Sequence, residues 1–279
     1  MAALILGAVA IGFAPIFVRL SEVGPVATGF HRLLWSLPVF ALLAWRGRSC
    51  RPPWRHGRIM VVAGLFFAGD MIVWHLGIML TSVANASLFT NMAPLFVALA
   101  LWLIWGKRPS IALAVALMVT LFGAAILVGA APILEPDRLA GDGLSLLSGL
   151  FYGGYILAVG RARAGLPTSV LMVVSGAVAA GVIAAAAWAL GERIWPTTVS
   201  GWAVVLGLAL VSQCAGQGLI AWGLAHVAPV VGALVLLLQP VVAVTVAWVL
   251  FGEALGWAQW GGAAIVLAGI HLARQANRS

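Results

Sequence analysis

The sequence predicts an all-α integral membrane protein whose ten transmembrane helices form a 5+5 inverted-topology repeat. Three observations predict it. Apolar residues fill 63% of the 279 positions and charged residues 8%, with a mean hydropathy of +1.12, too little polar side chain to clothe a soluble globule of this size. Nearly the whole chain divides into apolar runs of the roughly 20 residues that a helix needs to cross a bilayer. The second half of the chain also repeats landmarks of the first.

The runs lie at approximately Ala2 to Leu20, Val26 to Ala44, Ile59 to Leu80, Val83 to Trp105, Ile111 to Ala130, Gly143 to Gly160, Ser169 to Leu190, Val199 to Leu224, Val230 to Phe251 and Trp257 to Ala273. Lipid offers backbone groups no hydrogen bonds, so each run must be a helix or a strand of a closed barrel. The runs are about twice the length of barrel strands and do not alternate polar with apolar, which selects helices. The first run lacks a basic leader and is too long for a signal-peptide core, so no separate signal peptide is expected. Cys50 and Cys214 are too few for a disulfide framework and read as ordinary small residues.

The formal charge of +8 does not point to nucleic acid, because the basic residues sit at span ends rather than along one face. With the N-terminus in the cytoplasm, the inner segments hold Arg46, Arg48, Arg51, Arg55, Arg58, Lys107, Arg108, Arg161, Arg163, Arg274 and Arg278, eleven of the fifteen Lys and Arg. That bias places both termini inside.

Sliding the chain by the 146 residues that separate Trp102 from Trp248 also superposes Gly77 on Gly223, Pro94 on Pro240, Gly106 on Gly252 and Gly123 on Gly269. The copies are residues 1–130 and 143–274, joined by a loop at 131–142. Five spans is an odd number, so the second copy enters from the opposite side of the membrane. The loop with Lys107 is then cytoplasmic and the matching loop with Glu253 is outside, where a lysine would resist the orientation.

Ten spans in two copies, the Pro94 and Pro240 helices, and the stretch GEALGWAQWGGAAIVLAGI with Glu253, Gly261, Gly262 and Gly269 resemble the EamA-type proteins of the drug/metabolite transporter superfamily. By general pattern the chain is similar to the bacterial aromatic amino acid exporters within it. The resemblance runs from Leu4 to about His271. It implies a multi-pass secondary carrier of the bacterial inner membrane that exports small metabolites, with a central cavity walled by helices of both copies. One departure is Lys107, where many relatives carry a glutamate.

Most of such a protein is scaffold, so polar residues at mid-membrane depth carry the information. Asp70 is the one carboxylate clearly inside a predicted span; it must face a partner or a wet cavity, as a functional group or in a structural ion pair. Trp74 follows one turn later on the same face and His75 next to it. A carboxylate, an aromatic ring and an imidazole in DMIVWH could hold an ammonium and stack a ring, although Trp74 could equally fill space and His75 bond a neighbouring helix. Pro94 and Pro240 interrupt the fourth and ninth spans at mid-depth and free carbonyls about one turn earlier. They are candidate hinges, with Asn91 and Gln239 as polar lining beside them. Tyr152 and Tyr155, the only tyrosines, are candidate cavity aromatics, with interface anchoring the alternative for Tyr155. Gln213 and Gln217 form one stripe that either lines the cavity or bonds other helices.

Other features have plainer readings. Ser145, Gly149 and Gly153 form a small-residue ladder for close packing. Trp45, Trp54, Trp105, Trp195, Trp202, Trp257 and Trp260 read as an aromatic belt, and Arg19 and Arg32 as snorkelling cations near the outer face, with attraction of a carboxylate at the outer vestibule as the alternative. No zinc-protease, P-loop or nucleophile-elbow motif occurs, and neither Asp70 nor Asp142 sits in the motif of intramembrane aspartyl proteases. An enzyme is therefore not expected, nor a cofactor, a metal or a nucleic-acid partner. The expected partners are the lipid bilayer and a small-molecule substrate: an aromatic or apolar amino acid or similar metabolite exported by alternating access. A cationic drug is the alternative, and a channel a weaker one. The sequence leaves the oligomeric state open.

Overall fold

The computed structural model describes residues 1–47, 56–81, 83–128, 136–162, 166–251 and 256–276. Cys50, Trp54, Glu253, Arg48, Arg51, Arg55, Arg163 and Arg278 lie outside them, as does the end of the fifth predicted run. Among the described residues the chain is helical with no strand. Ten spans follow one another: α1 (Ala2–Leu20), α2 (Pro25–Arg46), α3 (Gly57–Leu80), α4 (83–105), α5 (Ile111–Val128), α6 (Leu139–Ala162), α7 (Thr168–Ala189), α8 (Val199–Gly223), α9 (229–251) and α10 (Trp257–Ala276). Eight of the helices satisfy length and hydropathy for crossing a membrane, and Ile111–Leu127 is a shorter apolar one. Large apolar side chains such as Leu103, Ile111, Met118, Phe122 and Trp257 are exposed around the bundle, as a surface that meets lipid requires.

The sixth span starts at Leu139, earlier than its apolar run suggests. Asp142 in its first turn is the reason: a carboxylate suits a helix N-terminus, and it accepts a 2.5 Å hydrogen bond from Thr81 at the end of α3. Glycine at positive φ closes two other helices. Gly106 ends α4 and Gly191 ends α7, each at φ 67°, the left-handed conformation that lets the following residues satisfy the last carbonyls. At Gly191 this turn bonds Glu192 N–H to Ala187 O at 3.0 Å.

Packing follows a pseudo-two-fold. Helices α2 and α7 pack on each other, as do α5 and α10, pairs that the repeat makes equivalent; α3 on α6 is mirrored by α8 on α1, and α4 on α6 by α9 on α1. The α5–α10 crossing shows the symmetry atom by atom. Gly123 presses on the backbone of Val266, and Gly269, its equivalent, presses on the backbone of Thr120. Small residues let membrane helices approach this closely.

Interruptions are more numerous than Pro94 and Pro240 suggest. Helix α1 breaks at Phe13 ahead of Pro15, α2 at Trp35 and Ser36 ahead of Pro38, α4 at Asn91 and Met92 ahead of Pro94, and α9 at Leu237 ahead of Pro240. Proline has no N–H to give and its ring collides with the carbonyl four residues earlier, so the chain tightens before each one. Met92 N–H thus bonds Phe89 O at 3.1 Å and Leu237 N–H bonds Leu234 O at 3.1 Å. In α8 the stretch Leu208–Gln217 is a π-helix, a widened turn frequent at functional sites. Gly207 and Gly218 bracket it, and Gly216 within it lies against Ile11 and Gly7 of α1.

These breaks divide the bundle into two ends, one carrying both termini and one carrying the α1–α2 and α7–α8 loops, here the far end. At the termini end the second part of α4 packs on the first part of α9, where every residue from Val230 to Leu237 is buried. Beyond the breaks the two helices part. The far half of α4 lies on α6, α5 and α3, and that of α9 on α1, α5 and α10; residues 238–246 of α9 are only half-buried. The bundle is a wedge that widens toward the far end from the level of Pro94 and Pro240.

Candidate functional site

At the base of the wedge, six helices bring polar and aromatic side chains together. Asp70, in the third quarter of α3, is 3% exposed, and its Oδ1 accepts a 2.6 Å hydrogen bond from Ser148 of α6. Ser148 also meets Thr90 Oγ1 at 3.2 Å, and Thr90 is the last residue of α4 before its break. The carboxylate is thereby linked through one hydroxyl to the α4 break. Gly149 and Gly153 of α6 lie against the Phe89, Thr90 and Ala93 carbonyls around that break, so the small-residue ladder is where α6 receives the interrupted helix.

Aromatic rings form a stack beside the carboxylate. Phe67 lies 4.7 Å from Tyr155 at 26°, and Tyr155 lies 6.0 Å from Tyr152 at 12°. Tyr155 is fully buried, which rules out the interface-anchor reading for it. Gln217 faces both tyrosine hydroxyls and Gln239 faces that of Tyr152. Tyr155 Oη, both amide atoms of Gln217 and Gln239 Nε2 are nevertheless buried with no hydrogen-bond partner among the described residues. Buried polar groups left unpaired cost about 1–3 kcal/mol each, so a cluster of them marks a place where water or a ligand belongs.

Arg32 corrects the sequence reading. It is buried rather than snorkelling: its Nε donates to Gln213 Oε1 of α8 at 2.9 Å, and its guanidinium lies 5.8 Å from the Phe67 ring centre. It feels the charge of Asp70. Helix α2 begins at Pro25, so Arg32 sits two turns inside it, with its side chain turned toward the bundle axis where Gln213 neutralises one donor.

His75 and Trp74 lie about one turn further along α3. His75 Nδ1 donates to Met71 O at 2.5 Å, which leaves Nε2 as an acceptor, buried and unpartnered among the described residues. The ring packs edge-on against Trp74, 4.8 Å away, and faces Gly29 of α2. His75 lies within electrostatic reach of Arg32, toward the far end from the tyrosine stack. Asn91 sits in the α4 break itself, half-buried.

The far end is tied across the two copies. Glu192, set by the Gly191 turn, accepts from the α2 N-terminus at Val26 N (3.3 Å) and Ala27 N (2.8 Å). Glu22, between α1 and α2, accepts in return from Thr197 N (2.5 Å) and Thr198 N (2.9 Å) at the α8 N-terminus, and from Thr198 Oγ1 (3.0 Å). Carboxylates suit helix N-termini, whose first N–H groups lack partners. Under this clamp His31 donates from Nε2 to Ile194 O at 2.7 Å and accepts from Trp35 Nε1 at 3.0 Å, with Trp195 and Trp202 edge-on to its ring. Those two tryptophans belong to this joint rather than only to an aromatic belt.

The Thr198 backbone N–H, then the Thr197 N–H, the Thr198 hydroxyl and Arg193, outweigh partial desolvation and hold the Glu22 carboxyl below its ordinary value of 4.5. A folded-state pKa below the unfolded one adds stability that is complete above about 4.5 and is lost as pH falls through the depressed value. The melting-temperature gap between wild type and Glu22→Gln is therefore expected to stay constant from about pH 8 to pH 5 and to close below about pH 4. A gap that changes between pH 5 and 8 would contradict this assignment.

A groove of about 270 Å³, lined by Ala98, Leu101, Lys107, Arg108, Pro109, Leu113, Ala228, Pro229 and Val230, lies at the termini end and shares no residue with the central cluster. Among the described residues no group of His, Cys, Asp or Glu is placed to hold a metal ion.

Two inverted five-helix copies thus enclose a buried polar cluster between them. The EamA-like transporter family matches residues 1–129 and 139–274, and the chain belongs to that family. A solved structure described only as a crystal structure of a protein is similar over 99% of this chain and 98% of its own, with a TM-score of 0.83 at 20% identity, which supports the fold alone. No curated protein matches.

Proposed function

We propose that the chain is a secondary carrier that exports amino acids, aromatic or apolar, or closely similar amphiphiles, across a bacterial inner membrane, with both termini cytoplasmic. The observation that carries this reading is Asp70, a carboxylate buried at the base of the wedge beside a stack of three aromatic rings. A carboxylate inside a membrane is costly to keep and is retained where it meets a partner. An ammonium group would be that partner, and a flat or branched apolar side chain would lie on the stack. Gln217 and Gln239 supply polar contacts, and the two halves rock about the site as the broken helices α4 and α9 bend.

Proteoliposomes loaded with unlabelled L-phenylalanine, L-leucine or an aromatic cation test the reading by uptake of the labelled compound. Saturable, trans-stimulated counterflow of an aromatic or apolar amino acid is expected. Counterflow of the cation alone would move the substrate assignment to drug-like cations, and flux without saturation would replace the carrier by a channel.

A further inference from the structure

Among the described residues Arg32 is the only buried lysine or arginine, and it shares the base of the wedge with Asp70. Its Nε is fixed to Gln213 of the second copy and its plane is steadied against Phe67 of the first. Its Nη groups make no hydrogen bond to a described residue. A guanidinium held by one nitrogen presents its remaining fork as a preorganised receptor for a planar anion, and carboxylate is the geometry that fork matches.

We propose that the site takes a zwitterion: Arg32 binds the substrate's carboxylate while Asp70 binds its ammonium. This rests on the amino-acid reading above and makes Arg32 the residue that separates amino acids from amines. Charge balance supports it. Arg32 and Asp70 together are neutral, and a zwitterion keeps the occupied site neutral; a cation would leave one uncompensated positive charge in a water-poor interior beside Arg32, and an anion one negative charge beside Asp70. Unpaired charge in such surroundings is strongly disfavoured, so discrimination arises from repulsion as well as attraction. The carboxylate would also bridge the copies, because Arg32 belongs to α2 and its anchor Gln213 to α8.

The test is a charge series on one ring: L-phenylalanine, phenethylamine without the carboxylate, and N-acetyl-phenylalanine without the ammonium, each competing with labelled phenylalanine counterflow and each titrated by thermal shift of the purified protein. Wild type is expected to prefer phenylalanine at least roughly tenfold over both singly charged relatives. In Arg32→Gln, phenylalanine should weaken roughly 10- to 100-fold while phenethylamine is unchanged or improves, and Arg32→Lys should recover part of the loss. A purely structural role for Arg32 would weaken all three ligands together, and that outcome overturns the proposal. So does wild type binding phenethylamine as well as phenylalanine, a comparison that needs no variant to fold; the carrier reading would then stand without this role for Arg32. If no member of the series binds, the amino-acid reading itself fails and takes this one with it.

Discussion

Asp70→Asn is expected to cut counterflow by roughly 10- to 100-fold while expression, membrane insertion and melting temperature stay near wild type. Asparagine has nearly the same shape, and its carbonyl oxygen can still accept from Ser148, so the link from α3 through Ser148 and Thr90 to the α4 break survives. What disappears is the negative charge. A hydrogen bond to a charged group contributes about 1.5–3 kcal/mol, which at about 1.4 kcal/mol per decade gives that range. The loss should appear mainly as a raised substrate requirement for amino acids. An equal rate and affinity in Asp70→Asn would remove the carboxylate from the site, since the substitution changes little else. Asp70→Ala is a poorer choice, because it would also strand the Ser148 hydroxyl beside the α4 break.

Much of the architecture was legible because lipid leaves the chain few alternatives. Ten apolar runs had to be helices, and the shared positions of Pro94 and Pro240 and of Gly123 and Gly269 announced the repeat that the α5–α10 crossing displays. The start of α6 was missed by one turn because Asp142 looks like a loop residue until its bond to Thr81 is seen. The breaks in α1 and α2 had a signal in Pro15 and Pro38 that the pairing of the other two prolines overshadowed. The π-helix in α8 has no sequence signature; its Gly216 lies against Ile11 and Gly7 of α1.

The site was less legible. Asp70, the tyrosines and the glutamines stand out as polar residues in apolar runs, and the structure gathers them at one level. Trp74 and His75 adjoin Asp70 in sequence, and His75 faces Gly29 of α2, the helix that carries Arg32. Arg32 was misjudged because a cation two turns into a helix can either snorkel or turn inward, and only Gln213, 181 residues away in sequence, decides which. Ser148 carried no signal at all, since serine is common in membrane helices. Glu22 and Glu192 carry no motif, and their exchange of helix N-termini depends on two loops meeting across the pseudo-two-fold. Lys107 lies in the exposed α4–α5 turn, and Glu253, its partner in the repeat, falls outside the described residues.

The second large effect concerns the wedge. The first part of α9 is buried from Val230 to Leu237 and packs on α4, whereas residues 238–246 are half-buried beyond the break. If this is one of two states of a carrier, substrate must draw the far halves together and loosen the packed end, and its saturating presence shifts the population by its differential affinity for the two. With both native cysteines replaced by alanine, spin labels at Phe89 and Val249 report the far halves of α4 and α9, and labels at Lys107 and Ala228 report the packed end. Distance distributions with and without saturating L-phenylalanine give the decisive comparison. Expected is a shift of the Phe89–Val249 pair to shorter distances and of the Lys107–Ala228 pair to longer ones. Two distributions that stay unchanged at a phenylalanine concentration that saturates binding would contradict alternating access about this site.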